Sequence, residues 1–101
     1  MSSKSLVWLI TGCSAGFGLS LSLIALKAGH KVIATSRYPT RSPELVKQVE
    51  NLGGIWLPLD VTASPAELQA VVDRGKKKFG RIDILINNAG IGILGPLEDI
   101  K

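Results

Sequence analysis

A chain of 101 residues, 46% of them apolar, has enough for one small domain with a core and is too short for a complete six-stranded doubly wound enzyme. Its net charge of +4 is spread rather than blocked, its single cysteine, Cys13, excludes an intramolecular disulfide, and no run approaches the ~20 apolar residues of a membrane span. Met1-Ser2-Ser3-Lys4-Ser5 leads into too short an apolar run for a signal-peptide core, so a soluble cytoplasmic protein, with neither nucleic acid nor membrane as partner, is the expectation.

The first predicted element is a strand over Leu6 to Thr11, apolar on both faces as a doubly covered strand should be. Thr11-Gly12-Cys13-Ser14-Ala15-Gly16-Phe17-Gly18 follows, then a helix from about Gly16 to Ala28, stopped by Gly29. Strand, glycine turn and helix bring backbone N–H groups and a positive helix-dipole end to one point, a place for a phosphate or pyrophosphate. Gly12 is expected to take a positive φ, Gly16 to let the backbone approach a diphosphate, and Gly18 to let the helix lie close on the sheet. The spacing is T-G-x-x-x-G-x-G, not G-x-G-x-x-G, and a merely structural turn is the competing reading. Cys13 reads as a small residue in a tight loop, with a reactive thiol at a helix N-terminus as the alternative. Ser14 has no histidine placed as a base and is no nucleophile.

His30 reads as a surface residue at a helix-to-strand turn. Strand two is predicted over Lys31 to Thr35 and ends in Ser36-Arg37-Tyr38-Pro39. Ser42-Pro43-Glu44 opens the second helix, with Ser42 as N-cap and Leu45, Val46, Val49 and Leu52 as its apolar face; Gly53-Gly54 ends it. Strand three spans Ile55 to Leu59, and Pro58 argues for a sheet edge; Trp56 reads as packing. After the turn Asp60-Val61-Thr62, Ser64-Pro65-Ala66-Glu67 is a capping box. Leu68, Val71, Val72 and Phe79 form the buried stripe of the third helix, and Gly80 closes it. Arg74-Gly75-Lys76-Lys77-Lys78 then reads as a basic last turn facing the dipole, not as a nucleic-acid patch. Strand four covers Ile82 to Ile86, interrupted only by Asp83. Asn87-Asn88-Ala89-Gly90 sits at its end, Gly92 and Gly95 continue the loop, and Pro96-Leu97-Glu98-Asp99 reads as the start of another helix.

Alternation of this kind predicts a three-layer αβα fold with a parallel sheet, strand order 3-2-1-4, truncated after the fourth strand. Ligands bind such sheets at the switch point, here between strands one and four, flanked by the glycine turn and Asn87 to Gly90. The end of strand two discriminates between nucleotides. A carboxylate there would bind the ribose 2′-hydroxyl of NAD; Ser36 and Arg37 instead offer a hydroxyl and a guanidinium, which favours NADP over NAD. The competing reading of Arg37 is an ordinary solvated arginine. Lys31 and Arg41 are further cations that either assist or are irrelevant.

Thr11-Gly12-x-x-x-Gly16-x-Gly18, Asp60-Val61 and Asn87-Asn88-Ala89-Gly90, in this order and spacing, resemble the N-terminal half of a short-chain dehydrogenase/reductase over essentially the whole chain. The resemblance implies a Rossmann-type fold and a nicotinamide cofactor. It implies that Ser14, Phe17 and Gly18 lie along the pyrophosphate and that Arg37 meets the adenosine 2′-phosphate. Asp60 and Val61 would contact adenine, and Asn87, Ala89 and Gly90 would line the ribose and nicotinamide side. Asn87 has a competing structural role, tying strand four to its neighbours. Members of the family transfer hydride between NADP(H) or NAD(H) and a carbonyl or secondary alcohol with a serine and a Y-x-x-x-K pair in the second half of the fold. This chain ends before that half, and its one tyrosine, Tyr38, is followed four positions later by Ser42. The expectation is therefore an NADP-binding half-domain over residues 1–101, inactive alone and with strand four as an open edge. A non-catalytic nucleotide-binding or interaction module is the alternative. A methyltransferase-type relative is disfavoured by Arg37 and by Asn87 to Gly90.

Overall fold

Short runs of Val, Ile, Leu and Trp, bounded by glycine, proline or a capping serine, form the strands, and the longer stretches between them form the helices. The computed structural model describes residues 5–14, 16–60, 64–87 and the backbone of 93–96. Its elements are β1 (Val7–Ile10), α1 (Gly16–Lys27), β2 (Lys31–Ser36), a 3-10 turn (Pro39–Arg41), α2 (Pro43–Asn51), β3 (Ile55–Pro58), α3 (Pro65–Phe79), β4 (Ile84–Ile86) and β5 (Ile93–Pro96). The sheet order is β3-β2-β1-β4-β5. The first four strands are parallel, in the expected Rossmann-type 3-2-1-4 arrangement. Pro58 pairs with Ser36 on the outer strand β3, where its missing N–H costs no ladder bond.

Two expectations fail at the other edge. β4 is not left open, and the loop expected through Gly95 is a strand: residues 93–96 form β5, antiparallel to β4, from Ile86↔Ile93 to Ile84↔Pro96 with a register shift between Ile84 and Leu85, while residues 97–99 of the expected helix start lie outside the described residues. The physical reason is the unpaired row of N–H and C=O groups that β4 would otherwise present. Pro96 is accommodated at the end of an outermost strand.

The helices cover both faces. Val7, Leu9, Ile33 and Leu85 pack with Val71 and Val72 of α3, while Ile10, Val32, Ala34 and Trp56 pack with Ala25 and Leu26 of α1 and Val49 of α2. α1 is apolar nearly all round, with Phe17 and Ile24 exposed, so its period does not choose its buried face. Small residues choose it. Gly18, Ser22 and Ala25 are buried along one stripe, and the Ser22 hydroxyl donates to the Gly18 carbonyl at 2.7 Å, so α1 lies close on the sheet.

α3 begins with the expected capping box, the Glu67 N–H donating to Ser64 Oγ at 3.3 Å and the Ser64 N–H to Glu67 Oε1 at 3.3 Å. Ser42 does not cap α2 through its side chain. Its N–H closes the preceding 3-10 turn on the Pro39 carbonyl at 3.0 Å, leaving it at φ −133°, ψ 55°, outside the extended geometry a capping hydroxyl needs.

Asp83 and His30 anchor the start of β1. Asp83 Oδ2 accepts the Val7 N–H at 2.8 Å and Arg81 Nε at 2.9 Å, and His30 Nδ1 accepts the Leu6 N–H at 3.0 Å. The half-buried His30 is thus more than the surface residue expected. Asp83→Ala strands a partly buried N–H, and a loss of about 1–2 kcal/mol is expected in urea unfolding, with Asp83→Asn losing less. Equal stability of all three chains would show that this carboxylate is not an anchor.

Candidate cofactor site

The site is built where β1 stops. The Thr11 N–H donates to the Ile86 carbonyl at 3.0 Å, and Thr11 Oγ1 lies 3.2 Å from Asn87 Oδ1, so the ends of β1 and β4 are tied together. Asn87 therefore has the structural role weighed for it. Gly12 turns at φ +64°, and the Cys13 N–H reaches the Thr35 carbonyl at 2.9 Å, crossing to β2. Gly16 opens α1 at φ +63°, and a Cβ added there would meet nothing within 4 Å. Its glycine is required by backbone conformation, on a turn that faces open space. Ser14 and Phe17 are exposed beside it, and Gly18 is a buried residue of α1 itself. The first turn of α1 has no acidic side chain, whereas α2 and α3 have Glu44 and Glu67 there. The positive end of α1 thus has no acidic side chain of its own to offset it.

Cys13 is fully buried, its sulfur 3.2 Å from the Ile10 carbonyl and 3.4 Å from Ser22 Oγ. Burial pushes its thiol pKa up, against smaller opposing effects of its hydrogen bonds to Ser22 and to the Thr35 backbone. The small-loop-residue reading holds and the reactive-thiol reading does not. Native protein at neutral pH is expected to resist thiol reagents that label the unfolded chain at once; rapid native labelling would contradict this burial. Because the folded pKa is the higher one, the stability contributed by the neutral thiol is complete below the unfolded thiol's pKa of about 8.5 and is lost as pH rises beyond it.

The second part of the site lies at the ends of β2 and β3. Ser36 is buried, and its Oγ accepts Trp56 Nε1 at 2.9 Å, which ties the end of β2 to β3. Arg37 projects outward, its Nη2 3.2 Å from Asp60 Oδ1, with the side chains 52% and 37% exposed. The hydrogen bond to Asp60, then its charge, raise the Arg37 pKa further, so the guanidinium stays charged. Arg37 and Asp60 are 23 residues apart in sequence, and the strand order is what joins them: parallel neighbours paired Ser36↔Pro58 bring the residues that follow them side by side. Tyr38, half exposed, lies with its ring centre 5.8 Å from Arg37 Cζ and 4.4 Å from Arg41 Cζ. Arg37, Tyr38, Leu59, Asp60 and Arg74 line a recess of about 450 Å³. Lys31 is at the other end of the six-residue β2, about 17 Å away, which removes it from this cluster. Val61, Ala89 and Gly90 lie outside the described residues. Among the described residues no group of three metal-ligating side chains occurs, and no helix is long and apolar enough to cross a membrane.

A parallel α/β sheet with a glycine turn at the switch point is a nucleotide-binding arrangement. Residues 6–101 match the family model for short chain dehydrogenases, and the chain belongs to that family, whose members bind nicotinamide dinucleotides. It is similar to the oxidoreductase claN of Passalora fulva, 43% identical over 98 residues that make up 96% of this chain and 44% of that protein. Oxidoreductase BOA17 of Botryotinia fuckeliana is 45% identical over 93% of this chain and 34% of its own length. Among solved structures, a 3-ketoacyl-(acyl-carrier-protein) reductase from Brucella melitensis, complexed with NADH, superposes with a TM-score of 0.76 at 33% identity, over 90% of this chain and 36% of that one. The chain thus spans less than half the length of these relatives.

Proposed function

We propose that residues 1–101 are the NADP(H)-binding half of a short-chain oxidoreductase that moves hydride between NADP(H) and a carbonyl or secondary alcohol. The observation that carries this reading is the end of β2, where no carboxylate follows the strand in sequence and Arg37 projects outward next to Asp60. The fit with a dinucleotide rests on the turn as well. Two positive-φ glycines, 12 and 16, bend it over the strand ends, and the space above Gly16 is open. Gly12, Ser14, Gly16, Phe17 and Gly18 would hold the pyrophosphate, with the N-terminal dipole of α1 offsetting its charge. Arg37 would face the 2′-phosphate, and Asp60 and Val61 the adenine. Asn87, Ala89 and Gly90 would lie along the ribose and nicotinamide. The bound nicotinamide supplies or accepts the hydride at its ring. Within these residues the chain positions that ring and does not move the substrate proton, because Tyr38 is not followed by the lysine of a Y-x-x-x-K pair. Substrate recognition and the Ser, Tyr and Lys chemistry belong to a longer form. A cytoplasmic location fits the single buried thiol. The second reading, a non-catalytic nucleotide-binding module, is favoured by one observation: β5 already covers the edge of β4.

Titration of the chain with NADPH and with NADH, followed by cofactor fluorescence, tests both. Tighter binding of NADPH is expected, with Arg37→Ala reducing that preference about tenfold. Equal or tighter NADH binding overturns the NADP assignment. No binding of either by a folded chain overturns the cofactor role itself.

A further inference from the structure

In a doubly wound sheet of spatial order 3-2-1-4-5-6, the strand beyond β4 runs parallel to it. Here that seat is taken by β5, and β5 runs the other way. The connection decides the direction. Six residues, 87–92, separate Ile86 from Ile93, enough for a hairpin, whereas a parallel crossover takes about a dozen or more. The two strands exclude one another, because the other flank of β4 is already paired to β1 and only one flank is left.

β5 is also weakly held. It has four residues. From Leu94 to Pro96 it advances two residues while β4 moves one, from Leu85 to Ile84, so the ladder is interrupted there. Gly95 brings no side chain to that interruption, and Pro96 has no N–H to give. The pairings of β1 with β2 and β4, and of β2 with β3, run without such a shift, and apolar clusters cover both faces of these four strands.

We propose that β5 is a detachable edge strap: it covers β4 in this chain, and it must leave β4 before the parallel strand of a longer form can pair there. The inference rests on the longer form in the reading above. It also separates that reading from the module reading, in which β5 is a permanent edge.

The test uses the full 101-residue chain without nucleotide. In amide hydrogen exchange followed by NMR, the slowest amide of β5 is expected to be protected, but about a hundredfold or more below the slowest amides of β1 and β2. Protection equal to theirs overturns the inference, and so does no protection at all, since no strand then covers β4. A variant carrying Ile93→Pro and Leu94→Pro loses two consecutive N–H groups, one of which faces β4 because they alternate along a strand. It is expected to keep the far-UV circular dichroism and the urea midpoint of the parent. It is also expected to self-associate about tenfold or more tightly in sedimentation velocity, as the bared flank of β4 takes a strand from a second copy. An unfolded variant, or a folded one that associates no more than the parent, overturns the inference. No readout involves a nucleotide, so a chain that passes these tests and binds no NADPH overturns the NADP reading alone.

Discussion

Valine at position 75 is expected to destabilise the domain by about 3 kcal/mol, and alanine by about 1 kcal/mol. Gly75 is buried in the interior of α3. A Cβ built there overlaps Ile33 Cδ1 and stands 3.3 Å from both Ile33 Cγ1 and Ile82 Cδ1. Ile33 is fully buried on β2, so its side chain has nowhere to withdraw. Helix propensity acts in the opposite sense, since alanine is worth about 1 kcal/mol over glycine in a helix interior. Overpacking of about 1–3 kcal/mol outweighs it. Urea unfolding with an unchanged m-value reads the loss. Ile33→Val removes the obstructing Cδ1, so Gly75→Ala combined with Ile33→Val should lose less than the two single changes together. An alanine variant more stable than the parent would show that α3 does not seat this closely on the sheet.

Replacing Gly16 is expected to separate the turn from the cradle. Its φ of +63° makes alanine cost about 1–2 kcal/mol of stability and valine more. Asparagine tolerates that region far better and should leave the fold near parent stability. Every one of these side chains projects into the open space above the turn, where a diphosphate would approach the backbone. NADPH binding is therefore expected to fall at least a hundredfold in Gly16→Val and still about tenfold or more in the well-folded Gly16→Asn. Binding by Gly16→Asn as tight as by the parent would leave Gly16 a merely structural turn residue.

The parts of this protein that were readable in advance depend on local chemistry. Pro58 could sit only at an edge, Ser64 and Glu67 cap each other across one turn, and the alternation of strands and helices admits few parallel orders. The parts that escaped depend on partners distant in sequence. Ile93–Pro96 contains Gly95 and a proline and reads locally as a loop; only the open edge of β4 makes it a strand. The hydroxyl of Ser36 is claimed by Trp56, twenty residues on, and the guanidinium of Arg37 by Asp60. Asp83 looks like a defect in an apolar run until the N–H of Val7 is placed against it. α1 gives no periodic signal, because what selects its buried face is the smallness of Gly18, Ser22 and Ala25.

The central position of β1 has a consequence for the nascent chain. Of these strands it leaves the ribosome before the others, and β2 follows closely, but the partner of Val7 on its other side is Asp83, 76 residues later. At about 5–20 residues per second, synthesis of that interval takes about 4–15 s. For those seconds Val7-Trp8-Leu9-Ile10 has one flank of its backbone without a strand, in a segment rich in β-forming residues and lacking charge. Shielding of that flank before translation reaches β4 thus guards each new molecule against pairing with another chain.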